Sequence, residues 1–261
     1  ITNKVSQAAS EWQNRPLESL YMIVWMDGIV FKVRENGKVI NKTVYLYVGL
    51  NKEGLKEVLG MWVGKNESAA FWMGVLTDLK ARGVEDILIT VTDNLNGFTE
   101  TIKSVFPTST TQICVVHQIR NSCRYVVWKE KKEFTSDLKN IYNAPTKEAA
   151  KMELENFEQK WGTKYPYAIR SWRNNWEELT VFFDFPVEIR KIIYTTNLIE
   201  NLNGKIRKYT KNKLSFPNDD ALKKSVYLAI TEIEKKWYQP IWNWALIFNQ
   251  FITIFENRIQ V

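Results

Sequence analysis

The sequence of 261 residues predicts an α/β fold with a mixed β-sheet. Three successive strand patterns joined by short turns indicate an antiparallel meander, and a strand–helix–strand pattern follows them, which implies parallel pairing. Hydrophobic residues make up 45% of the chain and charged residues 25%, which is the composition of a globular protein and excludes a disordered or fibrous one. No apolar run approaches the roughly 20 residues of a membrane span, so we expect no transmembrane segment.

Strands are predicted where β-branched and aromatic residues are densest. They cover residues 20–33, 39–50, 55–63, 86–92 and 111–116. Turn residues at Glu35–Lys38 and Asn51–Gly54 separate the first three strands. The spacing of apolar residues predicts a helix from Glu67 to Arg82, and a second helix of about ten residues follows Gly97. Three antiparallel strands followed by this strand–helix–strand unit give the order of a ribonuclease H-like mixed five-stranded sheet flanked by helices.

The second half of the chain is predicted to be helical. The helices cover residues 117–142, 146–161, 165–179, 219–236 and 240–256, and another begins near Thr196. We therefore divide the chain into the end of an N-terminal helical region, the first part of the sheet core, an all-helical insertion, and a last helical segment that completes the core. These four segments are residues 1–18, 19–118, 119–192 and 193–261.

The chain is basic, with 36 Lys and Arg residues against 29 Asp and Glu residues and an isoelectric point near 9.2. A basic excess suits a polyanionic partner but does not determine a fold. Residues 120–132 hold five basic residues against one acid, and residues 201–213 hold five basic residues and no acid. Each run is either a solvated face or a track for nucleic-acid phosphates.

Two aspartates are the most informative polar residues. Asp27 lies in the middle of an apolar strand, where an isolated carboxylate costs several kcal/mol unless it is paired, protonated or bound to a metal. A bulge at Gly28 or a bridge to a lysine is the alternative explanation. Asp93 ends the fourth strand, where a helix N-cap or an Asx-turn is the alternative. In the predicted sheet the first and fourth strands are neighbours, so the two carboxylates would meet and would require a cation.

Glu200 is the third candidate carboxylate. Asn197 and Glu200 have the spacing of a capping box, and that structural role is one alternative. The predicted helix carries an apolar stripe of Ile199, Leu202 and Ile206 beside a polar face of Glu200, Asn203 and Arg207. A helix packed on the sheet through its apolar stripe would point Glu200 at the two aspartates.

The chain has one histidine and two cysteines, which excludes a multi-histidine zinc site and a disulfide framework and favours a reducing compartment. Cys114, His117 and Cys123 are three candidate zinc ligands, one fewer than a structural site usually needs. A nucleophilic pair of Cys114 and His117 is another alternative, although an apolar strand does not favour a reactive thiolate. We expect a buried Cys114, a polar His117 at a helix start, and no zinc.

The sequence resembles the prokaryotic Mutator-like insertion-sequence transposases, a family of DDE transposases, from about Arg15 to Trp244. The similar stretches are MDGIVFKVRENG, LGMWVGKNESAAFW, DLKARGVEDILITVTDNLNGF, VFPTSTTQICVVHQIRNS, IYNAPTKEAA, FPVEIRKIIYTTNLIENLNGKIRK and KKWYQPIWNW. The family usually has Ala and Gly after the two aspartates, where this chain has Gly28 and Asn94.

The resemblance implies that Asp27, Asp93 and Glu200 are the catalytic triad and hold two Mg²⁺ ions, for which Mn²⁺ would substitute, with Asp27 as the bridging ligand. The Cys-x-x-His signature of the family falls on Cys114 and His117. We expect these two residues and Asn203 to lie behind the metal ligands or to contact DNA. The candidate phosphate contacts are Lys32, Arg34, Arg120, Arg124, Arg190, Lys205, Arg207, Lys208 and Lys211.

The implied activity is metal-dependent cleavage of DNA strands at transposon ends, followed by transfer of the freed 3′-hydroxyl into target DNA. The expected partners are both DNAs and a second copy of the protein in a synaptic complex, in the cytoplasm of a prokaryotic cell and without a membrane. The chain begins at Ile1, so we expect a catalytic fragment without the N-terminal region that reads the terminal inverted repeats. The alternatives are a ribonuclease H-like nuclease without strand transfer and a catalytically lapsed DNA-binding protein.

Overall fold

The computed structural model describes residues 2–64, 68–93, 97–194 and 197–259. The chain forms two compact units, one of residues 1–110 with 196–261 and one of residues 111–195. The start predicted for the second helix, Glu67, and the family position Asn94 both lie outside the described residues. Among the described residues, every helix is too short or too polar to span a bilayer.

The strands form one mixed sheet of five strands in the order β3-β2-β1-β4-β5. β1 is antiparallel to β2 and parallel to β4, and β2 is antiparallel to β3. The predicted α/β class and the ribonuclease H-like strand order are therefore confirmed. The strands are β1 (Leu20–Glu35), β2 (Lys38–Leu50), β3 (Lys56–Gly64), β4 (Asp86–Thr92) and β5 (Thr110–Ile113).

The first two turns are built by the residues that predicted them. Asn36 and Gly37 both have positive φ angles, 48° and 77°, as a two-residue type I′ hairpin requires. In the second turn the backbone N–H of Gly54 donates to the carbonyl of Asn51 at 3.1 Å, and the N–H of Leu55 donates to Oδ1 of Asn51 at 2.8 Å. These turns fix the register of the three-stranded meander.

Helices follow the strands in the order that the sequence predicts. Numbered along the described chain, they are α1 (Thr2–Asn14), α2 (Ala69–Ala81), α3 (Phe98–Val105), α4 (Val115–Ser122), α5 (Lys131–Tyr142), α6 (Lys147–Trp161), α7 (Pro166–Asn174), α8 (Trp176–Thr180), α9 (Val187–Ile193), α10 (Asn197–Thr210), α11 (Asp219–Glu234) and α12 (Trp244–Ile254). Thr146 and Asn218 cap α6 and α11 by accepting backbone N–H groups with their side chains.

The long helix predicted over residues 117–142 is wrong. The segment contains α4, two 3₁₀ turns at Cys123–Tyr125 and Trp128–Glu130, and α5. The break falls at two β-branched residues, Val126 and Val127, whose ψ angles of 129° and 143° are extended. Burial of Val126 favours this break because a continuous helix would move its side chain.

Other predicted elements also differ from the structure. The strand predicted over residues 111–116 ends at Ile113, because the N–H of Val115 donates to the carbonyl of Tyr194 and α4 begins there. The helix predicted over residues 165–179 is divided at Asn175. The sequence pattern missed α9, which is only two turns long and follows Pro186.

The first unit has its apolar core between the sheet and helices α2 and α3. The indole of Trp72, which is fully buried, lies 4.7 Å from the ring of Tyr45 and 4.3 Å from that of Phe98. Trp25, Trp72 and Trp172 are fully buried, whereas Trp128 and Trp242 are exposed.

The segment between α10 and α11 is attached to the far end of β1. The N–H of Phe216 donates to the carbonyl of Lys32, and the N–H of Arg34 donates to the carbonyl of Phe216, both at 2.8 Å. Lys42 of β2 is buried, and its Nζ lies 2.6 Å from Asp219 at the start of α11. This hydrogen bond raises the pKa of Lys42. These contacts fix the two helices against the strand that carries Asp27.

Candidate active site

Asp27 and Asp93 are brought together by the parallel pairing of β1 and β4. The register pairs Trp25 with Val91. Asp27 lies two residues further along β1, and Asp93 lies two residues after Val91, directly after the end of β4. Because side chains alternate with a period of two, both carboxylates project from the same face as that pair. Their oxygen atoms lie within 4.8 Å of one another, so the predicted convergence of the two residues is present.

The electrostatics of this pair favour a bound cation. Two unit charges 4.8 Å apart repel each other by about 3 kcal/mol at an effective dielectric constant of about 20. Magnesium prefers carboxylate oxygens and keeps room for water and phosphate oxygens in its coordination shell. The donor set of the pair therefore fits a divalent cation such as Mg²⁺.

Two alternative explanations for the aspartates are wrong. The pairing of β1 with β2 is continuous from Ile23 to Glu35 and places Asp27 opposite Leu46, so there is no bulge at Asp27. The N-cap position of α3 is Gly97, with a φ of 72°, so Asp93 does not cap that helix. An Asx-turn at Asp93 would involve residues 94–96, which are outside the described residues.

Gly28, next to Asp27, packs so closely against β2 that no side chain fits there without movement. A Cβ atom at Gly28 would come within 2.6 Å of Cγ2 of Thr43 and 3.2 Å of the ring of Tyr45. An alanine at this position would therefore require a shift of Thr43. The N–H of Gly28 also donates to Oδ1 of Asp27 at 2.7 Å, which holds that carboxylate oxygen toward its own backbone.

Helix α10 packs as its sequence pattern predicts. Ile199, Leu202 and Ile206 are fully buried, and the adjacent face carries Asn203. The amide Nδ2 of Asn203 donates to Oδ2 of Asp27 at 2.5 Å. Asn203 is itself buried, and its Oδ1 has no hydrogen-bond partner among the described residues. The hydrogen bond orients Asp27 and fixes α10 beside the carboxylate pair.

Glu200 lies one helical turn before Asn203 and is half-buried. Residues three apart are neighbours on a helix surface, so the contact of Asn203 with Asp27 places Glu200 near the pair. Glu200 is nevertheless outside the described group of ligand atoms within 4.8 Å of one another. Helix α10 begins at Asn197, and the two residues before it lie outside the described residues, so the capping box stays an alternative.

Asn203→Asp places a third negative charge at the Asp27 carboxylate. Since Nδ2 of Asn203 lies 2.5 Å from Asp27, we expect the variant to lose about 2–4 kcal/mol of unfolding free energy without divalent cations. Added Mg²⁺ should restore part of that loss. Urea unfolding of the wild type, Asn203→Asp and Asn203→Ala, each with EDTA and with Mg²⁺, measures both effects. Equal stability of the two variants in EDTA would contradict charge repulsion as the cause.

Cys114, His117 and Cys123 belong to the second unit. Cys114 is fully buried at the N-cap of α4, His117 is half-buried in its first turn, and Cys123 follows its last residue. Nine residues at 1.5 Å each separate the two cysteines by about 13 Å, too far for them to share one ion. Burial also raises the pKa of the Cys123 thiol, which disfavours the thiolate that a metal needs.

The predicted phosphate contacts occupy different environments. Lys32 and Arg34 are exposed, but their even positions place them on the face of β1 opposite to Asp27. The guanidinium of Arg190 donates to backbone carbonyls, including that of Phe183 at 3.1 Å. The side chains of the remaining predicted contacts are exposed, and these are Arg120, Arg124, Lys205, Arg207, Lys208 and Lys211.

A basic groove lies between α10 and the end of α11. It encloses about 430 Å³, and its lining includes Lys205, Lys208, Tyr209, Lys211 and Lys236. The pKa of the nearby Lys56 is lowered by burial and then by the positive charge of Lys205. Lys236 and Tyr209 were not among the predicted phosphate contacts, although Lys236 closes the run Lys235-Lys236 at the end of a predicted helix.

The family model and the curated relatives that match this chain are all described as transposases. The family described as "Transposase, Mutator family" matches residues 1–240. A probable transposase for an ISRM3-like insertion sequence element of Sinorhizobium fredii is 44% identical over 259 residues, which are 99% of this chain and 65% of that protein. A probable insertion-sequence transposase of Corynebacterium diphtheriae is 40% identical over 90% of this chain and 69% of its own length.

The chain spans 65% of the length of the first two curated relatives that it matches. A cryo-electron microscopy structure of the simian T-cell lymphotropic virus intasome in complex with PP2A regulatory subunit B56 gamma is similar to 57% of the chain, and half of that chain is covered. Its TM-score is 0.28 and its identity 14%, which is too low to bear on fold or function. Sequence similarity over nearly the whole chain is decisive instead: the chain belongs to the Mutator family of transposases.

Proposed function

We propose that this chain carries the catalytic site of transposition. It would cleave DNA strands at the ends of an insertion element and transfer the resulting 3′-hydroxyl to a phosphodiester of target DNA. The adjacent carboxylates of Asp27 and Asp93, with oxygens within 4.8 Å, carry this proposal. They lie beside a helix that bears a third carboxylate and a row of basic residues.

Asp27, Asp93 and Glu200 are the residues that would hold divalent ions. Bound Mg²⁺ supplies electrostatic stabilisation of the attacking and leaving oxygens of a phosphodiester. Asn203 contributes orientation, because its N–H group holds one oxygen of Asp27 while the N–H of Gly28 holds the other. Each contact restricts the rotation of the Asp27 carboxylate before substrate binds.

The basic groove supports DNA as the substrate. Lys205 and Lys208 lie on the same helix as Glu200, and eight residues at 1.5 Å separate Glu200 from Lys208 by about 12 Å. A phosphate backbone lying along the groove would therefore pass near the carboxylates. The salt bridge of Glu232, the acid in the groove, to Lys235 at 2.5 Å limits its repulsion of phosphates.

A strand-transfer assay tests the proposal. The complete protein that carries these residues is given pre-cut element ends and a supercoiled target plasmid in Mg²⁺. Covalent joining of the labelled end to the plasmid is the expected result. Nicking without joining would favour the ribonuclease H-like nuclease, and DNA binding without either product would favour the catalytically lapsed protein.

Duplex binding by these 261 residues should depend steeply on salt and hardly on sequence, because phosphate contacts carry no sequence information. We expect Arg207→Glu/Lys208→Glu to weaken binding about equally for element ends and for scrambled duplex. The slope of log affinity against log salt should fall by about 1 for each phosphate that the variant no longer neutralises. Lys139→Glu/Lys151→Glu, with the same charge change on exposed helix positions, is the control.

Competition titrations at two salt concentrations measure these slopes. A hundredfold preference for element ends, equivalent to about 2.7 kcal/mol, would contradict binding through phosphates alone. An equal loss of affinity in the control variant would show that net charge, rather than the predicted phosphate contacts of α10, determines affinity.

A further inference from the structure

The second unit exposes three large aromatic side chains on neighbouring segments. Trp128 is 88% exposed, Tyr125 is 65% exposed and Tyr167 is 57% exposed. The rings of Tyr125 and Tyr167 are in contact edge to face, with centroids 5.4 Å apart and an angle of 83° between the planes. Trp128 follows Tyr125 by three residues, so their Cα atoms are at most about 11 Å apart. We call these three residues the aromatic patch.

The segment that carries Tyr125 and Trp128 is held in place. Val126, between them, is buried. Glu130, two residues after Trp128, accepts a hydrogen bond of 2.5 Å from the hydroxyl of Tyr165 and forms an ion pair with Lys164. The backbone is therefore anchored on both sides of Trp128 while its indole projects into solvent.

Positive charge surrounds the aromatic patch. The described positions 120–132 include Arg120, Arg124, Lys129, Lys131 and Lys132, and the acid among them, Glu130, is engaged with Lys164. Arg170 is exposed one helical turn after Tyr167. Exposed aromatic clusters mark interaction sites. Cations between the aromatic residues favour a ligand that is a polyanion and also has planar rings.

We propose that the aromatic patch binds unpaired DNA bases by stacking, while the adjacent cations contact their phosphates. This inference rests on the proposed function, because strand cleavage and transfer create strand ends whose bases can leave the duplex. Bases inside a duplex are already stacked and paired, so their faces are covered. A protein can contact only their edges and the phosphates of the backbone. Proteins that bind single strands combine aromatic platforms with a positive groove in the same way.

The test compares single-stranded and duplex DNA. A 20-nucleotide oligothymidylate and a 20-base-pair duplex, each fluorescently labelled, are titrated with the chain. We expect Trp128→Ala to weaken single-strand binding by about tenfold and duplex binding by less than twofold. Trp128→Phe should stay within about threefold of the wild type, whereas Trp128→Leu should resemble Trp128→Ala. Trp242→Ala is the matched control, because Trp242 is 86% exposed in the other unit.

A second readout reports stacking directly. An oligonucleotide with one 2-aminopurine should lose fluorescence on binding to the wild type and lose less on binding to Trp128→Ala. The inference is overturned if Trp128→Ala changes neither readout, if Trp128→Leu binds as tightly as Trp128→Phe, or if single-strand and duplex affinity fall equally. A halved molar mass of Trp128→Ala in light scattering would instead identify the patch as a contact between two copies and would also overturn it.

These outcomes separate the inference from the proposed function. If Trp128→Ala changes neither the salt-dependent binding of duplex nor the binding of single strands, the proposed role of the aromatic patch is contradicted. The proposed transposase site is not affected by that result. Absence of binding to either DNA would contradict both. Near-ultraviolet circular dichroism and thermal unfolding of each variant confirm that the fold is retained.

Discussion

Asp27→Asn, Asp93→Asn and Glu200→Gln should each reduce strand cleavage by at least about a thousandfold, or about 4 kcal/mol of transition-state stabilisation. Each substitution removes one negative ligand of a divalent ion but keeps the size of the side chain. Asp27 lies within the central strand β1, Asp93 directly follows the end of β4, and Glu200 lies in the first turns of α10.

The measurement is the initial rate of end cleavage in the complete protein, with equal protein concentrations and a gel readout of labelled strands. Glu148→Gln, an exposed carboxylate of α6, is the control and should keep the wild-type rate. A variant that retains a tenth or more of that rate would show that its residue is wrongly assigned to the site.

Asp27→Asn and Asp93→Asn should each make the protein more stable when no divalent ion is present. Repulsion of about 3 kcal/mol between Asp27 and Asp93 is removed when either carboxylate becomes an amide. For a protein of this size about 1 kcal/mol shifts Tm by about 2–4 °C, so we expect an increase of several degrees in EDTA. A fall in Tm for Asp27→Asn would mean that its hydrogen bond with Asn203 outweighs the repulsion.

Removal of divalent ions is the second change with a large expected effect. EDTA should abolish cleavage, and Mg²⁺ or Mn²⁺ should restore it. Ca²⁺ should bind without supporting cleavage, because it takes more ligands at longer distances and aligns the reacting oxygens poorly. Zinc should not be required for folding, since Cys114 and Cys123 lie at opposite ends of α4.

Thermal unfolding provides a readout of the ion that is independent of activity. Mg²⁺ should raise the Tm of the wild type by mass action and leave that of Asp27→Asn nearly unchanged. Equal Mg²⁺ shifts in both proteins would indicate that the ion binds elsewhere. Stoichiometric zinc in the purified protein, lost together with structure on chelation, would contradict the assignment of Cys114 and His117 as residues that do not bind zinc.

Local patterns in the sequence determined most of the first unit. Residues 86–92 were predicted as a strand with the same bounds as β4, because a short apolar run between turn residues has few alternatives. Asn36-Gly37 specified the first hairpin, since both residues accept positive φ. The stripe of Ile199, Leu202 and Ile206 predicted the buried face of α10. These local patterns located the strands, turns and helices, and the order of these elements along the chain was enough to predict the arrangement of the sheet.

The tertiary structure decided how the polar residues meet. No local pattern states that Asn203 donates to Asp27 across 176 positions of sequence, or that Arg190 donates to the carbonyls of Phe183 and Phe185 rather than facing solvent. Such contacts depend on the register and packing of elements that are distant in the sequence. The periodicity of side chains within one element carries no information about them.

In residues 117–142, tertiary packing favours a break that local helix propensity does not predict. Residues 117–142 favour a helix locally, yet burial of Val126 and the contacts of Glu130 with Tyr165 and Lys164 divide that segment. The exposure of Trp128 is a consequence of the same division. The sequence by itself therefore determined the strands and the turns. It also predicted three site carboxylates, and the structure brings two of them, Asp27 and Asp93, together. The tertiary structure alone decided which side chains lie beside them and which aromatic rings remain in water, because both depend on contacts between residues far apart in the chain.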